Sequence, residues 1–186
     1  MMKTWLVAAS VLAVLVAGCS PKLEQGEVLE KTGDTFTIRL EKKIEEPIDK
    51  VWAAFQRPEE IEKYSEQYQK SKLVKSEGNT KVVDYEVSAL GQVNAFTMEL
   101  KSDEAAKKID LKTIESSLVD ITGTYEIKPA PDGKGTIVVY KAIQKDKANI
   151  PVPVSVQKTA IKDSFDNLIA GMQKGIKEGG LGAPAS

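Results

Sequence analysis

Hydrophobic and polar residues alternate from Asp34 onward. Phe36, Ile38, Leu40 and Ile44 fall on one face, and Thr35, Thr37, Arg39 and Glu41 on the other. A period of two marks a strand with one buried face. Glu46-Pro47 ends it, because proline lacks the ladder donor and restricts the residue before it. The period then lengthens: Ile48, Val51, Trp52 and Phe55 form one stripe and predict a short helix over 48–55. Pro58-Glu59-Glu60 reads as a second helix start, with Ile61 and Tyr64 inward. Six more strand-like runs follow, at 68–76, 80–90, 93–101, 107–116, 120–128 and 135–143. Between them stand the turn signals Gly78-Asn79, Gly91-Gln92, Ser102-Asp103-Glu104, Ser116-Ser117 and Asp132-Gly133-Lys134. Links this short predict an antiparallel meander. After the rigid break Asn149-Ile150-Pro151-Val152-Pro153, a long helix is expected over 154–177, with Ile161, Phe165, Leu168, Met172 and Ile176 on one face. The expected fold is therefore α+β: a curved seven-stranded antiparallel sheet wrapped around a long C-terminal helix, with two short helices after the first strand.

Composition narrows the chemistry. The 186 residues are 41% hydrophobic and 28% charged, with a formal net charge of −1, as in an ordinary globular domain. Charges of both signs are interspersed, which gives no field for a phosphate backbone, so no nucleic-acid partner is expected. Histidine is absent and the single cysteine is Cys19. Ser-His-Asp and Cys-His catalysis, histidine metal sites and intramolecular disulfides are thereby excluded, and no metal or cofactor is expected. Only Arg39 and Arg57 among the 26 basic residues could form bidentate clamps.

The N-terminal segment carries its own signal. A short basic start, Met1-Met2-Lys3-Thr4, precedes an apolar run over 5–18. As a helix that run spans about 21 Å, short of the roughly 30 Å hydrocarbon core, and it reads as a signal peptide. Val16-Ala17-Gly18-Cys19 resembles the bacterial lipobox. The resemblance implies cleavage before Cys19, acylation of that residue and anchoring in a membrane, which more than one acyl chain makes stable. Ser20 in place of an aspartate weakly favours the outer membrane, so the expected location is the cell envelope, facing the periplasm. The expected organisation is a signal peptide at 1–18, a lipidated tether at 19–33, the folded domain at 34–178 and a flexible tail at 179–186. The tether reaches at most about 50 Å when extended.

Three stretches point to a family. Ile44-Glu45-Glu46-Pro47-Ile48-Asp49-Lys50-Val51-Trp52 joins a strand end to a helix start; Gly123-Thr124-Tyr125-Glu126-Ile127 with Asp132-Gly133 and Thr136 forms a late hairpin; Ile150-Pro151 precedes the last helix. In this order they resemble the Bet v 1-like helix-grip superfamily, also called START-like or polyketide cyclase/lipid-transport. The resemblance implies a cavity between sheet and helix that takes lipids, sterols, polyketides or other apolar molecules.

Alternation and helical spacing point Tyr85, Phe96, Met98, Leu111 and Tyr125 inward from the strands, and Phe165, Leu168 and Met172 from the last helix. These are the candidate ligand-binding residues, with Val83, Ile109, Ile121 and Ile169 beside them and Thr113 as a further polar contact. Trp52 and Phe55 fit helix-to-sheet packing, with a place under the cavity mouth as the alternative. Glu99, Asp110 and Asp120 face solvent in the preferred registers and would become candidate acids or bases after a one-residue slip. Lys158, Lys162, Lys174 and Lys177 read as the wet face of the last helix. The leading expectation is a tethered lipoprotein that binds, and carries, a lipid or hydrophobic small molecule. A cyclase-like or hydrolase-like enzyme and a non-catalytic envelope interaction module are the alternatives.

Overall fold

The computed structural model describes residues 20–89, 91–147 and 152–181. Cys19, the apolar N-terminal run and Ile150-Pro151 lie outside these residues. The elements are β1 (Val28–Thr32), β2 (Thr35–Ile44), α1 (Ile48–Phe55), a 3-10 turn (Pro58–Lys63), β3 (Tyr68–Glu77), β4 (Thr80–Ala89), β5 (Gln92–Asp103), β6 (Lys108–Ser116), β7 (Val119–Pro129), β8 (Thr136–Asp146) and α2 (Val154–Lys177). The strands form one sheet in the order β1-β2-β8-β7-β6-β5-β4-β3, and every neighbouring pair is antiparallel. This is the helix-grip fold.

β2 owes its place to its alternation. Phe36, Ile38, Leu40 and Ile44 are all buried, and each such side chain stabilises by roughly 1.5–3 kcal/mol when removed from water. Pairing Leu40 with Tyr140 and Phe36 with Gln144 sets β2 beside β8, so an early strand adjoins the last. In α1 the predicted stripe is buried at Val51, Trp52 and Phe55. The face of α2 carrying Phe165, Leu168, Met172 and Ile176 is buried as well. The β7–β8 pair meets closely at Gly123, where a Cβ would lie 2.4 Å from the Lys141 carbonyl oxygen and 2.7 Å from the Ala142 Cβ. Only glycine fits so close a backbone approach.

Three expectations need correction. The sheet has eight strands rather than seven, because Val28–Thr32, within the stretch expected to be tether, pairs with β2. Leu29 is the one fully buried residue of this edge strand, so its pattern shows no period of two. Gly33, at a φ of 60°, permits the tight turn into β2. Second, Gly179, Gly180 and Leu181 belong to the folded domain. The Gly179, Gly180 and Leu181 amides donate to carbonyls of the last turn of α2, and Leu181 is buried against Gly175. Third, Lys162 is not on a wet face. It is buried under the segment before β1, where its Nζ lies 3.4 Å from Glu27 Oε1 and 3.5 Å from Asp166 Oδ2. Glu27 also accepts hydrogen bonds from the Glu24 and Glu41 amides, at 2.8 and 3.1 Å. Lys158 is partly buried, and Lys174 and Lys177 are exposed.

Candidate functional site

The sheet and α2 enclose a cavity of about 580 Å³, within the roughly 300–1,000 Å³ typical of small-molecule sites. Its floor is built by Phe55 of α1 with Pro58 and Ile61 of the following turn. The opposite end is bounded by the β4–β5 and β6–β7 hairpins and the start of α2, through Gln92, Leu118, Val152 and Gln157. Gln92 is exposed while it lines the cavity, which puts the opening at this end.

All eight candidate residues stand on the wall. Tyr85, Phe96, Met98, Leu111 and Tyr125 project from β4 to β7, and Phe165, Leu168 and Met172 close the other side from α2. Ile109, Ile121 and Phe55 join them. Val83, Ile169 and Trp52 instead pack in the solid core, with Lys107 Nζ 5.1 Å from the centre of the Trp52 rings. Thr113 does not reach the cavity. Its hydroxyl accepts the Ile121 amide at 3.1 Å, next to an irregularity in the β5–β6 register.

The aromatic side chains leave the middle open. Tyr85 packs on Phe96 and Tyr68, with ring centroids 5.6 Å apart in both cases. Tyr125 packs on Phe55 at 5.2 Å and on Tyr140 at 5.0 Å, and Tyr140 stacks on Phe165 at 5.9 Å. Among the described residues no ring contact joins the first group to the second. Tyr68 and Tyr140 were not singled out by sequence reasoning. Tyr68 is the first residue of its strand, and Tyr140 follows Val138 and Val139, both buried, so neither shows a clean alternation.

With this geometry the chain can be placed among known proteins. Residues 35–173 match the family model described as polyketide cyclase / dehydrase and lipid transport. The chain belongs to this family. Similar solved structures include the aromatase/cyclase ZhuI from Streptomyces sp. R1128, with 13% identity over 77% of this chain and 94% of that one and a TM-score of 0.67. A major latex-like protein from Panax ginseng shares 16% identity over 76% and 97% of the two chains, with a TM-score of 0.61. A START superfamily protein from Mycobacterium smegmatis shares 10% over 76% and 97%, with a TM-score of 0.60. At these identities the likeness is one of fold. No curated protein matches the chain in sequence.

In this member of the polyketide cyclase / dehydrase and lipid transport family, Glu99, Asp110 and Asp120 are exposed and none lines the cavity. Among the described residues the one acid on the wall is Asp146, and it is engaged. Lys31 Nζ donates to Asp146 Oδ2 at 2.6 Å and to Gln157 Oε1 at 2.8 Å, and Gln157 Nε2 donates to the Val152 carbonyl at 2.7 Å. This chain of bonds ties the start of α2 to β1 and β8 beside the opening. The wall tyrosines are neutral at ordinary pH. Burial holds their hydroxyls above the usual range, to about 12 for Tyr68 and likewise upward for Tyr85, Tyr125 and Tyr140. Among the described residues no group of His, Cys, Asp and Glu side chains is placed to hold a metal ion, and no helix is long and apolar enough to cross a membrane.

Proposed function

We propose that this chain is an envelope lipoprotein, anchored through acylated Cys19, whose domain binds and carries a lipid or other hydrophobic small molecule. The observation that supports binding is the cavity itself, about 580 Å³ walled mostly by apolar and aromatic side chains. Burial of a ligand's apolar surface supplies roughly 25 cal/mol per Å² before the costs of association are subtracted. No covalent step is needed for such a role. Anchoring is supported by the sequence Val16-Ala17-Gly18-Cys19, and a tether keeps a carrier close to a membrane source of cargo.

Native mass spectrometry of the full chain, with organic extraction, tests the binding half. A copurified apolar molecule that exchanges with added lipid is expected; a chain that carries nothing and takes up nothing refutes it. Incorporation of radiolabelled palmitate tests the anchor. Cys19→Ser abolishes labelling, and unchanged labelling refutes the anchor without touching the cavity.

A further inference from the structure

Polar groups around the cavity fall into two sets. Near the opening several are matched within the protein: Ser116 Oγ accepts the Leu118 and Val119 amides, Asp146 and Gln157 hold Lys31, and Ser164 accepts from Gln67. The four tyrosines of the middle are not matched. Tyr68, Tyr85, Tyr125 and Tyr140 all line the cavity, and among the described residues no hydrogen bond reaches any of their hydroxyls. Nor are these oxygens sealed in packed protein. Among the described residues the sealed polar side-chain atoms without a hydrogen bond belong to Gln56, Gln67 and Asp166, so the tyrosine hydroxyls meet the open space.

The four come from both flanks of the cavity. Tyr68 and Tyr85 sit on β3 and β4, at one end of the strand order, and Tyr125 and Tyr140 on β7 and β8. They face each other closely enough that Tyr68 and Tyr85 both oppose ionisation of Tyr125. Each phenol donates one hydrogen bond and can accept others. Among the described residues no lysine or arginine lines the cavity, so an anionic group placed at its middle finds no counter-ion.

We infer that Tyr68, Tyr85, Tyr125 and Tyr140 form a neutral subsite that selects, among apolar ligands, those bearing carbonyl or hydroxyl oxygen on the body of the molecule. This rests on the proposed reading of the cavity as a binding site and adds the ligand class. A plain hydrocarbon filling the same space would strip water from four hydroxyls and return no hydrogen bond. Sites built to bond a ligand hydroxyl discriminate strongly against the analogue that lacks it. A carboxylate in the middle would be buried without a cation, which costs more still.

The test uses two probes of nearly equal shape, 2-naphthol and 2-methylnaphthalene, titrated calorimetrically into the full chain. The same titrations are made on a chain carrying Tyr68→Phe, Tyr85→Phe, Tyr125→Phe and Tyr140→Phe, which removes oxygen and leaves the rings. The dissociation constant for 2-naphthol should rise about tenfold in the variant, while that for 2-methylnaphthalene stays level or falls. The two double variants, Tyr68→Phe with Tyr85→Phe and Tyr125→Phe with Tyr140→Phe, carry the test if the quadruple one does not fold. Parallel changes for both probes, or none for either, overturn the subsite and leave the cavity reading intact. Binding of 2-naphthoate as tight as that of 2-naphthol overturns its neutrality. If neither uncharged probe binds the unaltered chain, the cavity reading falls and the subsite with it.

Discussion

Ala160→Leu adds three carbons to a residue of α2 that lines the cavity. If the space is open, the new atoms lie against apolar walls, and three buried carbons at about 0.8 kcal/mol each stabilise by roughly 2 kcal/mol at most. Lost rotamers and a slightly poorer helix propensity offset roughly 1 kcal/mol of that. The net expectation is a gain of about 1 kcal/mol. In a close-packed interior the same change overpacks and destabilises by roughly 1–3 kcal/mol, so the sign of the effect separates a hollow from a filled core. Urea unfolding followed by circular dichroism reads it. At a slope of about 2 kcal/mol per molar, the midpoint moves up by about 0.5 M with the slope unchanged. The variant also binds 2-methylnaphthalene more weakly, because part of the space is gone. A midpoint that falls would refute the reasoning.

Gly123→Val drives a side chain into the Lys141 carbonyl and Ala142; a loss above about 3 kcal/mol is expected, and a melting temperature within two degrees of the unaltered chain would contradict it. Lys31→Met leaves the Asp146 carboxylate, whose side chain is 7% exposed, without its cation. A loss of about 2 kcal/mol and faster ligand exchange in stopped-flow displacement are expected, whereas unchanged exchange would show that this bond does not restrain the opening. Hydrogen bonds from Lys128 and Lys141, both at 2.5 Å, hold the Glu126 carboxyl down at about 2 against an ordinary 4.5. Because the folded value is depressed, this contribution is complete above pH 4.5 and is lost as pH falls toward 2. Both lysines are about half exposed, so it amounts to about 1 kcal/mol; Glu126→Gln should flatten the acid limb of the melting-temperature profile, and an NMR titration midpoint near 4.5 would refute the shift.

Much of the fold was legible because its core elements obey a single period. β2 alternates cleanly, α2 keeps one apolar stripe from Ile161 to Ile176, and the β3 to β8 runs are separated by turn residues. Elements held by something other than a period escaped. β1 has one core residue, Leu29, and its place depends on backbone pairing with β2 and on Glu27 and Lys31, whose partners lie 115 or more residues away for Lys162, Asp146 and Gln157. Leu181 lies beyond the helix end and reaches the core only because Gly175 leaves room for it. At the cavity, inward-facing residues could be read from alternation, but a wall and a packed core share the same pattern. Tyr140 escaped because the sheet buries both Val138 and Val139 beside it, and Tyr68 because a strand's first residue has no alternation before it.

The account depends on apolar ligand entering the space between α2 and the sheet. Met98 and Met172 line that space from opposite sides, and the other two methionines, Met1 and Met2, begin the chain. Selective carbon-13 labelling of methionine methyls therefore reports on the cavity from within. With 2-methylnaphthalene added, intermolecular nuclear Overhauser effects to both the Met98 and Met172 methyls are predicted, saturating with the calorimetric dissociation constant. Both methionine methyls unmoved at a saturating concentration of 2-methylnaphthalene, with no Overhauser effect to either, would contradict it.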